Sequence, residues 1–231
     1  MVSKVYSAAL QGLDAMVVTV EVDNFEGGGN AKFTIVGLPD NAVKESQERV
    51  QSALRVNGYN MPNKSVVVNL APADMRKEGS GFDLPMAISV MLSCGFLKIE
   101  CPERFMFVGE LGLDGTILPV KGVLPISIKA RELGYEALFV PTENAREAAV
   151  VNKLKVYGVS HLNDIVAFFS GMSTLEPTVV NAREEFYSQM FTFPYDFDEV
   201  KGQENVKRAF EVAAAGGHNI KIEIGRAGPQ E

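Results

Sequence analysis

Histidine and cysteine are scarce in this chain, and their positions argue against a metal centre built from them. The sequence contains Cys94, Cys101, His161 and His218, with the two cysteines seven residues apart. A structural zinc site needs about four such ligands, and neither histidine stands at ligand spacing from another candidate. We therefore predict no metal site and two reduced thiols, as is usual in the cytosol.

Long apolar runs and an excess of positive charge are also missing. No uncharged apolar segment reaches the roughly 18–20 residues that a membrane-spanning helix needs, and the opening MVSKVYSAAL lacks the apolar stretch of a signal peptide. We expect a cytoplasmic protein without a membrane partner. The net charge is −7 and the pI about 5.0. By itself, such an acidic chain is a poor candidate for tight DNA binding, which requires phosphate neutralisation.

The remaining composition is that of a folded protein. Of the 231 residues, 46% are apolar and 22% are charged, which excludes disorder as a class. This length suits one large domain or two small ones.

The first two-thirds of the chain alternate between strand and helix patterns, which predicts an α/β fold with a mixed sheet. The strands are predicted at 16–22, 31–36, 65–70, 105–110, 117–120, 137–140 and 154–159. Helices are predicted after residue 40 and at 84–94, 125–133, 142–151 and 161–169. Asp40 or Asn41 can cap the first of these helices, Gly95 is expected to end the second, and residues 113–116 predict a hairpin turn. The first two strands resemble a hairpin, the third is expected to be buried on both faces, and Thr142 is expected to cap a helix.

A change of composition after residue 170 predicts a domain boundary. Residues 171–197 contain two prolines and no clear period, which is typical of a linker. We therefore divide the chain into an α/β domain at 1–170, a linker at 171–197 and the start of a second module at 198–220. The charged end, 221–231, is expected to be a non-native tail on a truncated chain.

The loop RKEGSGFDLP, residues 76–85, is the first candidate site. Backbone N–H groups before a helix can hold an anion, and Ser80 could serve as a nucleophile. The candidate anion or DNA contacts are Arg76, Lys77, Gly79, Ser80 and Gly81. The alternative is a tight loop in which Gly79 and Gly81 adopt unusual backbone angles and Asp83 caps the helix.

Two further segments carry weaker signals. Residues 109–145 contain Lys121, Lys129 and Arg131, which are either contacts for a partner or solvated side chains. A lysine acts as a base only where its pKa is lowered.

Residues 197–220 contain a helix and a Gly-Gly stop of the kind that precedes a phosphate-binding loop, but the sequence that follows lacks the Gly-Lys-Ser/Thr of that loop. The chain therefore cannot bind ATP through a phosphate-binding loop of this kind.

Several long motifs together resemble the magnesium chelatase-like AAA+ ATPases of the YifB/ComM family. These motifs are SAALQGLDA, FTIVGLPDNAVKESQERVQSAL, VNLAPADMRKEGSGFDLPMAI, FVGELGLDGTILPVKGVLP and KGQENVKRAFEVAAAGGHNI. The resemblance implies a Lon-protease-like domain of the ribosomal protein S5 domain 2 type, followed by an AAA+ module. For the full protein it implies ATP and Mg as cofactors, a hexamer, and helicase-like branch migration of DNA in recombination during competence. It also implies that Gly202 and Gln203 lie in the adenine-side lead-in of the module.

The Lon peptidase pattern can be compared with this sequence position by position. Without gaps, the peptidase serine falls on Gly81 and its lysine falls on Leu124, so both catalytic positions are lost. A shift of one residue would instead make Ser80 the nucleophile and Lys121 its base.

The residues and the family resemblance together leave three functions to weigh. The first is a non-catalytic accessory domain of an ATP-driven DNA-remodelling hexamer, whose partners are its own AAA+ module, other subunits and DNA. The fragment itself would need no cofactor. The alternatives are an active Ser–Lys peptidase of the Lon type and a metal-chelatase ATPase subunit, for which the chain offers no acidic cluster at ligand spacing.

Overall fold

The structure is a computed structural model that describes residues 2–26, 31–61, 64–181 and 196–222. The chain divides into two compact units, Met1–Asn181 and Ala182–Glu231. The strands are β1 Ser3–Gln11, β2 Asp14–Phe25, β3 Phe33–Val36, β4 Ser65–Ala71, β5 Phe105–Phe107, β6 Glu110–Leu111, β7 Ile117–Leu118, β8 Ala137–Pro141 and β9 Lys155–Val159. The helices are α1 Asn41–Val56, α2 Asp83–Cys94, α3 Val123–Glu132, α4 Thr142–Ala149, α5 Leu162–Phe169 and α6 Glu204–Gly216.

The first unit is built on one mixed seven-stranded sheet in the order β3-β4-β2-β1-β5-β8-β9. β2 runs antiparallel to β1 and β4, and the other neighbouring pairs are parallel. β6 and β7 form a separate two-stranded ribbon across the predicted turn at 113–116. The α/β class predicted from the sequence is confirmed.

Two hydrophobic layers lie on opposite faces of the sheet. Residues from α1, α2 and α5 pack in one cluster, and residues from α3 and α4 pack in the other. β8 supplies both clusters, because Phe139 faces the first and its neighbours Leu138 and Val140 face the second. This alternation accounts for the burial of every residue of β8.

The structure corrects three local predictions. β2 and β3 are not a hairpin, since β4 lies between them and pairs with both. The 16-residue helix α1 joins β3 to β4 as a crossover, which makes that pair parallel. β4 is not buried on both faces, because alternate residues such as Val67 and Asn69 are partly exposed. Thr142 does not cap α4, which begins after Pro141 without a side-chain cap.

Helix ends were predicted more accurately. Asp40 caps α1 by accepting a hydrogen bond from the Val43 N–H at 2.8 Å, and Gly95 ends α2 in the left-handed conformation.

The first unit continues past residue 170, where the Thr178 N–H donates to the Val156 carbonyl at 2.8 Å.

In the second unit, α6 begins after Gln203 and ends before Gly217, which is left-handed. Phe197 and Phe210 stack with their ring centroids 5.8 Å apart. Gly202 and Gln203, both with positive φ, form the turn before α6. The predicted linker residues 182–195 and the predicted tail beyond residue 222, with Gly225 and Gly228, lie outside the described residues. None of the described helices is both long and apolar enough to cross a membrane.

Candidate functional site

The loop between β4 and α2 is anchored to the start of α1. Lys77 and Leu38 are joined by a backbone hydrogen bond of 3.1 Å, and the Asp40 N–H donates to the Lys77 carbonyl at 3.0 Å. The carboxylate of Asp40 also accepts from the Gly79 N–H at 3.3 Å. Asp40 therefore fixes both the first turn of α1 and the glycine-containing part of the loop.

The side chain of Lys77 is buried rather than presented to solvent. Lys77 has no exposed surface, and its ammonium donates to the carbonyl oxygen of Pro72. Burial lowers the pKa of Lys77. Lys77 therefore does not share the exposed surface of Arg76, where the sequence had placed both residues as contacts for an anion or for DNA.

The two glycines of the loop have different roles. Gly79 has φ of +83°, as predicted for a tight loop. Gly81 does not have a positive φ; its carbonyl accepts from the Gly109 N–H at 3.0 Å, and the Gly109 carbonyl accepts from Leu84 N–H at the same distance. A Cβ at Gly109 would lie 3.0 Å from Ile117. The two backbone hydrogen bonds hold the loop and the start of α2 against the segment that leads into β6.

The hydroxyl of Ser80 donates a hydrogen bond to the carboxylate of Glu110. Among the described residues, no hydrogen bond joins Ser80 to Lys121, although both side chains line the same cavity. A serine hydroxyl becomes a strong nucleophile when a base removes its proton, and the usual base in a Ser–Lys pair is a neutral lysine amine. In this geometry the Ser80 hydroxyl is oriented toward an acidic side chain instead.

A buried ion pair lies directly after the loop, at the start of α2. Asp83 is fully buried, and Arg49 binds both of its oxygens, through Nε at 2.6 Å and Nη2 at 3.1 Å. Asp83 also accepts from the Leu111 N–H at 3.1 Å. Burial raises the pKa of Asp83, while the Arg49 guanidinium opposes that rise. Asp83 therefore does not cap α2, as the sequence had suggested, but ties α1 to β6.

Asn144 holds the wall of the cavity that carries Lys121. Its side-chain amide accepts from the Val120 N–H and donates to the Val120 carbonyl, both at 2.9 Å. Beside it, Gly122 is left-handed, and a Cβ there would overlap the side chain of Leu10. The backbone at 119–122 is thus fixed on one side by α4 and on the other by β1.

The loop at 78–82, the end of β1 and the backbone at 119–121 line a cavity of about 430 Å³. Its lining is largely apolar, and its polar groups are Ser80, Glu78, Glu110 and Lys121. Gly79 and Gly81 line the same cavity, whereas Arg76 lines a different hollow at the start of α1. Of the predicted residues, the structure brings Gly79, Ser80, Gly81 and Lys121 together. Within the described ranges, no group of three or more His, Cys, Asp or Glu side chains is placed to hold a metal ion.

Sequence reasoning missed the residues that support this site. Glu110, Arg49 and Asn144 come from three separate elements, and the fold brings them to Ser80, Asp83 and Val120, respectively. The signal in the sequence for Glu110 is its place directly after Gly109.

Comparison with known proteins decides the family. A family model described as "Subunit ChlI of Mg-chelatase" matches residues 20–144, which is more than half of the chain. The chain belongs to the ChlI family. A second model, "Magnesium chelatase, subunit ChlI", matches residues 196–229 in the second unit. The family predicted from the motifs is therefore confirmed.

The relatives extend well beyond this chain. Competence protein ComM of Haemophilus influenzae is 39% identical over 94% of this chain and 42% of its own length. A protein named YifB in Escherichia coli is 36% identical over 95% of this chain and 42% of its own length. A Lon protease of Finegoldia magna is 23% identical over 65% of this chain and 20% of its own length. The chain thus spans about two fifths of the ComM and YifB relatives.

Proposed function

We propose that the first unit is a non-catalytic accessory domain of a magnesium chelatase-like ATPase that remodels DNA in the cytoplasm. The observation that supports this proposal is the hydrogen bond from Ser80 to Glu110, which directs the serine hydroxyl toward a carboxylate and not toward a lysine amine. The match to a protein named competence protein ComM supports a role in competence, for which we propose DNA as the substrate. ATP and Mg would bind in the complete protein, whose subunits would assemble as a hexamer.

ATP hydrolysis tests this assignment. The complete gene product and this 231-residue chain would be assayed side by side, each with and without single-stranded DNA. We expect the complete product to hydrolyse ATP faster when DNA is present, and this chain to hydrolyse none. Turnover by this chain alone, or a complete product that is indifferent to DNA, would contradict the proposal.

A Ser–Lys peptidase is the second candidate, because Ser80 and Lys121 line one cavity and a Lon protease is among the relatives. Casein hydrolysis that disappears in Ser80→Ala and in Lys121→Ala would establish it. A metal-chelatase subunit is the third candidate, and the family description favours it. Metal insertion into a porphyrin with partner subunits would test that function.

A further inference from the structure

Residues 174–181, which we name the strap, lie along the outer edge of β9. β9 stands at one end of the order of the seven-stranded sheet, and within the described ranges no strand pairs with its outer side. The Thr178 N–H of the strap donates to the Val156 carbonyl of β9 at 2.8 Å. Burial raises the pKa of Tyr157 in β9, and the negative charge of Glu176 in the strap adds to that rise. The strap therefore occupies the position that a strand added to this edge would take.

Two apolar side chains anchor the strap on opposite faces of the sheet. Leu175 packs against the first hydrophobic cluster, and Val180 packs against the second. Val179, directly before Val180, is 90% exposed. Between its two anchors the chain thus passes around β9 from one face of the sheet to the other. The edge of β9 therefore fits an extended segment that has apolar residues at the spacing of Leu175 and Val180 and a backbone donor between them.

The strap is attached less extensively than β9 itself. β9 pairs with β8 along its whole length, Lys155–Val159, whereas no helix or strand includes residues 174–181. Leu175 and Val180 are partly buried, while Val156 has no exposed surface. Segments with little buried apolar surface and few backbone hydrogen bonds open at a lower free-energy cost than the core. The strap can therefore detach while β9 stays in the sheet.

Detachment of the strap would lengthen the free chain that leads toward the second unit. The Met172 and Ser173 N–H groups donate to the Ala167 carbonyl of α5, at 2.8 and 3.2 Å, so the chain before the strap is fixed separately. An extended residue spans at most about 3.3–3.6 Å, so release of residues 174–181 adds up to roughly 25 Å of free chain. The strap therefore sets the reach of the chain that continues from Asn181.

We propose that the outer edge of β9 is a docking site for an extended peptide, and that the strap is its detachable ligand in cis. While docked, the strap closes this edge and shortens the reach of the chain beyond it. Once the strap is detached, the edge accepts the same segment in trans, from a second copy of this chain. The inference goes beyond the proposed function and involves neither ATP nor DNA, so each proposal can fail without the other.

A labelled peptide with the sequence of residues 172–181, MSTLEPTVVN, tests the docking site. Its binding to the 231-residue chain would be measured by fluorescence anisotropy, with and without Val180→Asp in the chain. Val180→Asp places a carboxylate against an apolar cluster and so weakens the strap of the chain itself. Because the intact strap competes intramolecularly, we expect the peptide to bind Val180→Asp at least about tenfold more tightly than the unaltered chain.

Val179→Asp is the matched control, since it adds the same charge at the exposed neighbouring residue. It should bind the peptide no better than the unaltered chain does. A peptide that itself carries Val180→Asp should bind none of these chains. Thr178→Pro is a second way to detach the strap, because proline lacks the N–H that Val156 accepts and both hydrophobic clusters stay intact. It should increase peptide binding as Val180→Asp does.

Hydrogen exchange of the Thr178 amide reports whether the strap is docked. We expect slow exchange in the unaltered chain and in Val179→Asp, and exchange at least about tenfold faster in Val180→Asp. Exchange at Phe139 in β8 should be the same in all three chains, which would show that the sheet is intact. The proposal is overturned if the peptide fails to bind Val180→Asp and Thr178→Pro even at millimolar concentration, or if it binds Val179→Asp equally well. Equal exchange at Thr178 in the two aspartate variants would also overturn it.

Discussion

Ser80 and Glu110, thirty residues apart in sequence, are joined by a hydrogen bond in which the serine donates and the carboxylate accepts. Arg49 lies near the same carboxylate, since Glu110 contributes to raising the pKa of the Arg49 guanidinium behind its main partner, Asp83. The serine is therefore part of a network that connects the loop, β6 and α1. Under the proposed function this role of Ser80 is structural, and it accounts for a serine in a glycine-containing loop.

The Arg49–Asp83 pair should be a major source of stability in the first unit. Arg49→Met leaves the buried Asp83 carboxylate without its guanidinium, and removing one partner of a buried pair costs about 3–5 kcal/mol. Urea unfolding at pH 7 measures this loss. Arg104→Met, which removes an exposed partner of Glu136, is the control and should cost less than about 1 kcal/mol.

The same variant should show a particular pH dependence. Without Arg49, the folded-state pKa of Asp83 rises further above its unfolded value of about 3.9. The folded state then binds more protons than the unfolded state between these two pKa values, so stability falls as pH rises through that range. We expect the deficit of Arg49→Met to be smaller at pH 4 than at pH 7. A deficit that does not change with pH would contradict the assigned burial of Asp83.

Lys77 should make the unaltered protein more stable as the solution becomes alkaline. Its folded-state pKa is lowered by burial, so the unfolded chain binds more protons between that pKa and about 10.4. Stability attributable to this group therefore increases as pH rises through that window. Lys77→Met should abolish this increase in the free energy of unfolding, measured with urea between pH 7 and 10. Lys129→Met should retain it. An increase that persists in Lys77→Met would show that another group is responsible.

Asn144 should stabilise the backbone at 119–122, which includes Lys121. Asn144→Ala leaves the N–H and carbonyl of Val120 without their side-chain partner, which costs about 1–3 kcal/mol for buried groups. We expect faster hydrogen exchange at the Val120 amide and a lower midpoint of urea unfolding. The exposed Asn152→Ala is the control. Exchange at Val120 that matches this control would contradict the role of Asn144.

Any side chain added at Gly37 should lower the stability of the first unit. Its φ is +100°, and a Cβ there would overlap the carbonyl of Leu70 in β4. Gly58 has φ of +83° with open space around the Cβ position, so Gly58→Ala tests backbone strain alone, at about 1–2 kcal/mol. Gly37→Ala should cost about 1–3 kcal/mol more, because overlap adds to strain. Equal losses in the two variants would show that β4 moves aside at little cost.

Structural features that depend only on residues close in sequence, such as helix ends, could be predicted from the sequence. Asp40 at the start of α1 and Gly95 at the end of α2 act through their own backbone turns, and both were predicted. β1 was missed, because its small residues Ala8 and Ala9 give little strand signal and its nine-residue pairing with β2 decides its conformation.

The candidate site likewise combines residues that the sequence predicted with supporting residues that it could not predict. The loop at 76–82 was predicted as a candidate from its glycines and its serine, but its supporting groups could not be. Lys77 has the residue type of a surface contact, yet its backbone is drawn in beside Leu38 and Asp40, and the side chain follows. Glu110 reaches Ser80 only because Gly109 allows the two segments to approach.

A serine-directed fluorophosphonate tests most directly whether Ser80 is chemically inactive. The purified chain would be treated with the reagent, digested and analysed by mass spectrometry, with the exposed Ser173 as an internal reference for non-selective labelling. We expect Ser80 to be labelled no more than Ser173. Selective labelling of Ser80 that is lost in Lys121→Ala would show an activated serine, and the accessory-domain account would be wrong.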